Sequence, residues 1–184
     1  MDKVTFRKQQ IDRLVSFAKD DQKQKEEAEL TQKLFQTEVF QNAETIGLTI
    51  SQDIELNTKP LITAIQNLGK QVYVPRTLAE YQMTFLPYPD KETDLERSSF
   101  GILEPKLDES KRQDPPDLVV VPGVAFAKDG NYRVGFGAGY YDRYLNRYQP
   151  HTITLALSPM VFDEPQWPVS MLDVPIEILL VPEQ

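Results

Sequence analysis

Residues 45–75 read TIGLTISQDIELNTKPLITAIQNLGKQVYVP, and the order of elements in this stretch decides the fold. TIGLTI, at 45–50, is a short apolar strand. Pro60 marks a helix start, where a missing backbone N–H costs nothing. The helix PLITAIQNLG follows and stops at Gly69. KQVYVP, at 70–75, is the next strand. Strand, helix, strand is a βαβ unit, which predicts a parallel sheet.

On the N-terminal side, residues 3–36 read as two helices. Val4, Phe6, Ile11, Leu14, Val15 and Ala18 recur at helical spacing in the first, and Ala28, Leu30, Leu34 and Phe35 in the second. Asp20 and Asp21 stand between them as caps, and the intervening charges form a solvated face. Downstream, YQMTFLPY (81–88) reads as a strand. Residues 89–117 are polar, contain Pro89, Pro105, Pro115 and Pro116, and read mainly as loop. DLVVVPG (117–123) is the clearest buried strand, an apolar run stopped by Pro-Gly. A glycine-rich turn, a helix YYDRYLNRY (140–148) and strands at 152–157 and 176–181 complete the pattern. The expectation is one α/β domain over residues 1–184, a three-layer architecture with a mostly parallel central sheet and helices on both faces.

Composition excludes several chemistries. The 184 residues hold no cysteine and one histidine, His151. Disulfides, thiolate zinc sites, a cysteine nucleophile and a two-histidine metal motif are ruled out by count. Lys plus Arg number 20 against 28 Asp plus Glu, a net charge of −8. That opposes a general nucleic-acid binder, which carries a basic footprint. No apolar N-terminal stretch follows a basic cluster. The longest uncharged apolar run, LVVVPGVAFA at 118–127, is about half the ~20 residues needed to span a bilayer. The expectation is a cytoplasmic protein without membrane or nucleic-acid partners.

The chemistry is concentrated in NYRVGFGAGYYDRYL, residues 131–145. Three of the eight glycines, Gly135, Gly137 and Gly139, fall within it. Glycine lets backbone N–H groups approach an anion closely, above all where a helix begins. The strand at 117–123 places this turn at the carboxyl edge of a sheet, where open α/β folds bind ligands. Lys128, Arg133, Arg143 and Arg147 outnumber Asp129 and Asp142, so the region is locally basic. Two familiar phosphate loops fail. Tyr140 stands where a dinucleotide G-x-G-x-x-G needs its last glycine, and no glycine is followed by the Lys-Ser/Thr pair of a P-loop.

The longer run PDLVVVPGVAFAKDGNYRVGFGAGYYDRYL, residues 116–145, resembles the 5-formyltetrahydrofolate cyclo-ligase family, also called methenyltetrahydrofolate synthetase. Weaker agreement lies at Lys3 and Arg7, at Glu55 in SQDIELNT, at GILEP from Gly101, and at Asp173 in MLDVPIE. The resemblance implies a fold similar to ribose-phosphate isomerase and CoA-transferase-like domains. It implies conversion of 5-formyltetrahydrofolate and ATP to 5,10-methenyltetrahydrofolate, ADP and phosphate, with Mg2+; the expected partners are these small molecules, and the expected state is a monomer. No covalent nucleophile is needed, which suits this composition.

By the same resemblance, Arg133, Tyr140 and Tyr141 are catalytic. Lys3, Arg7, Arg133, Val134, Gly135, Phe136, Gly137, Ala138, Gly139, Tyr140 and Tyr141 bind ATP. Ile50, Glu55, Phe136, Gly137, Ala138, Gly139 and Tyr140 bind the folate. Asp142 and Asp173 hold magnesium, an ion commonly bound by one or two carboxylates with phosphate and water. Lys3 and Arg7 are four apart and share one helix face. Phe136 and Ala138 depart from the family pattern, which often has a basic residue or tyrosine at the first position and glycine or lysine at the second. One cation near the transferred phosphoryl is therefore missing, with Arg133, Lys3 or Arg76 placed to compensate. The alternative is a sugar-phosphate sensor or isomerase on the same fold, which nucleotide dependence separates from a cyclo-ligase.

Overall fold

A computed structural model describes residues 1–183. Helix α1 spans Lys3–Phe17, α2 Asp21–Gln36, α3 Glu38–Asn42, α4 Thr58–Asn67 and α5 Tyr140–Tyr148. Asp2 caps α1 by accepting from the amides of Val4 and Thr5, and Asp20 caps α2 through Gln22. These side chains satisfy N–H groups that a helix start leaves unpaired. Helix α4 begins before Pro60, with Asn57 accepting from the Lys59 amide. It ends where Gly69 takes a φ of +79°, the left-handed turn that favours glycine.

The strands are β1 Thr45–Leu48, β2 Gln71–Thr77, β3 Met83–Pro87, β4 Leu95–Arg97, β5 Leu103–Pro105, β6 Leu118–Val120, β7 Ala125–Ala127, β8 Arg133–Val134, β9 His151–Leu155, β10 Val161–Phe162 and β11 Ile178–Leu180. Six form the central sheet in the order β11-β9-β6-β1-β2-β3. All its pairings are parallel except β2 with β3, an antiparallel edge hairpin. A small sheet β10-β7-β8 lies beside it, and β4 pairs with β5.

Strand β6 shows why the sheet carries helices on both faces. Leu118 and Val120 belong to the larger core cluster, and Val119 and Val121 to a second one. A strand buried on both sides needs the continuous apolar run that residues 118–121 supply. Leu30, Leu34, Leu61 and Ile65 of α2 and α4 pack into the larger cluster. Tyr144 and Leu145 of α5 pack into the second, beside Phe85. On the same side, Gly47 of β1 leaves room for Phe85. A Cβ there would lie 2.8 Å from the Phe85 ring and 2.9 Å from Pro116. Gly47→Ala should therefore destabilise the fold by about 1–3 kcal/mol, read as a lower urea midpoint with an unchanged slope.

The structure corrects the reading of residues 89–117. They hold the β4–β5 hairpin and two short 3-10 turns rather than loop alone. Strands of three residues, carrying Glu96, Arg97 and Glu104, are too short to show a period. Tyr81, read as part of a strand, stands instead in the β2–β3 turn. There Glu80 and Tyr81 both have a φ of 57°, a conformation costly for residues other than glycine.

Candidate active site

The carboxyl ends of β1, β6 and β9 open into a cleft lined by Leu48, Thr49, Glu55, Val121, Gly123 and Leu155. This is where an open parallel sheet binds ligands. Glu55 is buried at the cleft. Its carboxylate accepts from the Gln52 amide at 2.8 Å. Burial holds its pKa above the usual carboxylate range, partly opposed by that hydrogen bond and by the charge of Lys23. Ile50 is buried in the larger core cluster, and the cleft wall is built from other side chains.

The glycine turn lies between β8 and α5. Val134 of β8 is buried and pairs with Ala125, and Gly135, Phe136, Gly137, Ala138 and Gly139 follow it. Gly137 has a φ of +114° and Gly139 a φ of +73°. Gly139 caps α5 with no side-chain hydrogen bond. Among the described residues, none of the backbone N–H groups of 135–142 donates a hydrogen bond. Such a row of unpaired donors at a helix start is a site for an anion. The Phe136 side chain is exposed.

Arg133 opens β8, the two-residue strand that leads into this turn. It is 6% exposed, which is rare for arginine unless it is paired. One guanidinium nitrogen lies 3.1 Å from Asp142, and the guanidinium sits 5.7 Å from the centre of the Tyr141 ring. Its Nε has no partner among the described residues, and neither has the buried hydroxyl of Tyr141. Burial pushes the Tyr141 pKa upward, with the Glu55 charge adding to it, so this phenol stays a donor. Two unsatisfied polar groups side by side in a buried place point to a ligand that supplies what they lack. Tyr140 lies 5.9 Å from the Tyr81 ring and 6.0 Å from the Phe100 ring. These three rings form an aromatic wall beside the turn.

Helix α1 reaches the same turn. Arg7 Nε donates to the Gly135 carbonyl at 2.7 Å. Lys3 Nζ contacts both oxygens of Asp173, at 2.7 and 2.5 Å. Asp142 also accepts from the amide of Val174, the residue after Asp173. Lys3, Arg7, Arg133, the turn, Tyr140, Tyr141, Asp142 and Asp173 are thus one constellation, although 170 residues separate its ends. Two pairs within it, Lys3 with Asp173 and Arg133 with Asp142, join a cation expected to meet phosphate to a carboxylate expected to meet metal.

Among the described residues, no three His, Cys, Asp or Glu side chains cluster as a metal cage. Magnesium does not require one, because it uses one or two carboxylates and takes its remaining oxygens from phosphate and water. Asp142 and Asp173 are hard oxygen donors on adjoining segments beside an anion site, and they fit that ion.

The sequence reading left out two further groups, Tyr81 and Glu104, and took in Arg143 only as part of the local basic charge. Arg143 donates to two carbonyls of the turn. Tyr81 reaches the site from the strained β2–β3 turn. Glu104 is buried in the hairpin and accepts from Thr77 at 2.7 Å. Burial raises its pKa. Only GILEP hinted at Glu104, and no periodicity marks Tyr81.

Comparison with known proteins converges on one family. The model of the 5-formyltetrahydrofolate cyclo-ligase family matches residues 1–182. The mouse 5-formyltetrahydrofolate cyclo-ligase is 32% identical over 164 residues, covering 82% of this chain and 79% of the mouse chain. The Haemophilus influenzae protein of the same name is 36% identical over 145 residues, 76% of each chain. Among solved structures, the 5,10-methenyltetrahydrofolate synthetase of Aquifex aeolicus superposes with a TM-score of 0.81 at 26% identity. That alignment covers 98% of this chain and 90% of the other.

Proposed function

The chain belongs to the 5-formyltetrahydrofolate cyclo-ligase family, and from that premise we propose that it cyclises 5-formyltetrahydrofolate to 5,10-methenyltetrahydrofolate, consuming ATP and releasing ADP and phosphate. The observation that carries this reading is the row of unpaired N–H groups at 135–142 set against the buried, half-satisfied Arg133. In this reading the row and Arg133 receive phosphate on the same edge of the sheet as the Glu55 cleft.

Ring closure must expel the formyl oxygen, which leaves poorly as oxide or hydroxide. Attack of that oxygen on the γ-phosphorus forms an O–P bond and breaks the bond to ADP. N10 of the folate then attacks the activated formyl carbon, the N10–H proton is lost to the departing phosphate, and the C–O bond breaks with phosphate as leaving group. Phosphoryl transfer depends on in-line placement and on compensation of charge spread over the phosphoryl oxygens. In this reading the amides of the turn and Arg133 supply that compensation, and Tyr141 donates its free hydroxyl to an oxygen of the reacting group. Glu55 accepts N–H bonds from the amino-pyrimidine edge of the pterin, and Tyr140 supplies a ring face to the folate. Lys3 and Arg7 complete the nucleotide side.

Asp142 and Asp173 would hold magnesium, whose charge would offset that of the phosphates beside it. Lys3 and Arg133 would then trade their carboxylate partners for phosphate oxygens. Asp173→Asn should accordingly raise several-fold the magnesium concentration that gives half-maximal rate, with the folate KM little changed. Magnesium titrations at saturating ATP and folate check this.

Among the described residues no helix is long and apolar enough to cross a membrane. A cytoplasmic monomer of one domain, with only small-molecule partners, completes the proposal. The test is to mix protein, 5-formyltetrahydrofolate, ATP and magnesium and to follow the near-ultraviolet absorbance of the conjugated methenyl product. A rise that requires ATP supports the reading. A flat trace from folded protein overturns it and moves the glycine turn to a sugar phosphate.

A further inference from the structure

We propose that Arg143 is a positioning residue for the glycine turn, holding it by its carbonyls so that its N–H groups face the nucleotide phosphates. The inference rests on the cyclo-ligase reading above and adds a residue to it. Arg143 Nη1 lies 3.1 Å from the carbonyl oxygen of Ala138 and 3.2 Å from that of Gly139. At the other end of the turn, Arg7 Nε holds the carbonyl of Gly135 at 2.7 Å. Guanidinium groups from two helices therefore grip the turn at both ends.

The consequence follows from the peptide unit itself. In a trans peptide the C=O and the next residue's N–H point in opposite directions. Carbonyls of Gly135, Ala138 and Gly139 drawn to the arginines turn the N–H groups of Phe136, Gly139 and Tyr140 to the far side. All three of these N–H groups are without an acceptor among the described residues. Two of them open α5, where the helix dipole favours an anion. Gly139 takes a φ of +73°, which favours glycine, and a Cβ there would stand 2.6 Å from Arg143 Nη1, so a larger residue would also displace the guanidinium.

Arg143 is in turn held from outside. Its guanidinium stacks 5.2 Å from the centre of the Tyr81 ring, a contact favoured by the ring's negative face. Tyr81 and Glu80 are kept in the left-handed region, each at a φ of 57°. Such strain persists where surrounding structure imposes it and often marks a functional position. The β2–β3 turn thus supplies the ring that steadies the arginine, and the arginine steadies the turn. The positive charge of Arg143 is spent on backbone carbonyls, so its work is geometric.

Three substitutions separate geometry from charge. Arg143→Met removes donor and charge, Arg143→Gln keeps a neutral donor able to meet a carbonyl, and Arg143→Lys keeps the charge. ATP binding is measured by calorimetry and turnover by methenyl absorbance, each at low and at moderate salt. Arg143→Met should raise the KM and Kd for ATP about tenfold, the loss expected for two charge-assisted hydrogen bonds that act indirectly. The folate KM should move less than about twofold, since Arg143 makes no contact in the Glu55 cleft. Arg143→Gln should recover much of the loss, Arg143→Lys should do no better, and added salt should leave the ratios to wild type unchanged. Full recovery in Arg143→Lys with none in Arg143→Gln would overturn the proposal in favour of a direct charge contact. So would unchanged ATP affinity in Arg143→Met. Absence of turnover in the wild type would instead sink the cyclo-ligase reading.

Discussion

Arg133→Met should lower turnover about a thousandfold, the scale on which an arginine facing a transferred phosphoryl group acts, while the protein stays folded. Arg133 is buried, pairs with Asp142 at 3.1 Å and keeps an unpartnered Nε. A buried donor without an acceptor is destabilising, so its retention makes sense where a reacting oxygen later fills the gap. The resemblance sets Phe136 and Ala138 where a basic side chain is often found, which in the proposed reading leaves more of the transition-state charge to Arg133. Methionine fills similar volume, and Asp142, at 27% side-chain exposure, can regain water. Arg133→Lys keeps a point charge without the planar fork and should fall between the two. Single-turnover rates at saturating ATP check this, with urea unfolding as the control for folding. A Met variant within tenfold of wild type would remove Arg133 from the chemistry. If the Met variant does not fold, the Lys variant decides.

Glu55→Gln should raise the folate KM about 10- to 100-fold, the loss of one to two charged hydrogen bonds, with the ATP KM unchanged. The same substitution should stabilise the free protein at neutral pH, and the sign follows from burial. Burial raises the Glu55 pKa above its unfolded value, so ionising it opposes folding. That opposition is absent below the ordinary carboxylate range and fully developed above the raised pKa. Glutamine has nothing to ionise. The gain in unfolding midpoint over wild type should therefore be largest at neutral pH and should vanish as pH falls through the carboxylate range. A variant less stable at neutral pH, or one whose ATP and folate KM rise together, would contradict the assignment. A substrate-binding carboxylate kept buried at a cost in stability is a familiar exchange between function and folding.

The fold was legible where residues obey a period or a stop signal. The stretch 45–75 disclosed the parallel crossover because Pro60 and Gly69 bracket a helix between two apolar runs. The run at 118–121 disclosed a strand covered on both faces. The short elements β7, β8, β10 and the β4–β5 hairpin were hidden, because so short a strand has no alternation to detect and these lack the continuous apolar run that marked β6. The site was legible as far as its residue types repeat a family pattern. Lys3 meets Asp173, Arg133 meets Asp142, and Asp142 accepts from the amide next to Asp173, so these four residues lie together in the fold. Ile50 packs in the core instead of forming the cleft wall. The pairings themselves were invisible in the sequence. Nothing in it reveals that Lys3 meets Asp173 or that Arg143 turns back on Ala138 and Gly139. Those contacts depend on where α1, α5 and the segment before β11 are brought by the sheet. Tyr81 was hidden for a different reason, since its position depends on backbone strain that side-chain composition does not announce.

If the formyl oxygen is phosphorylated and leaves as phosphate, it can be traced with 5-formyltetrahydrofolate carrying heavy oxygen in the formyl group, with ordinary ATP, magnesium and water. Mass analysis of the inorganic phosphate released during methenyl formation should find one heavy oxygen per phosphate. Unlabelled phosphate formed alongside the methenyl product, with the heavy oxygen in water, would contradict the account.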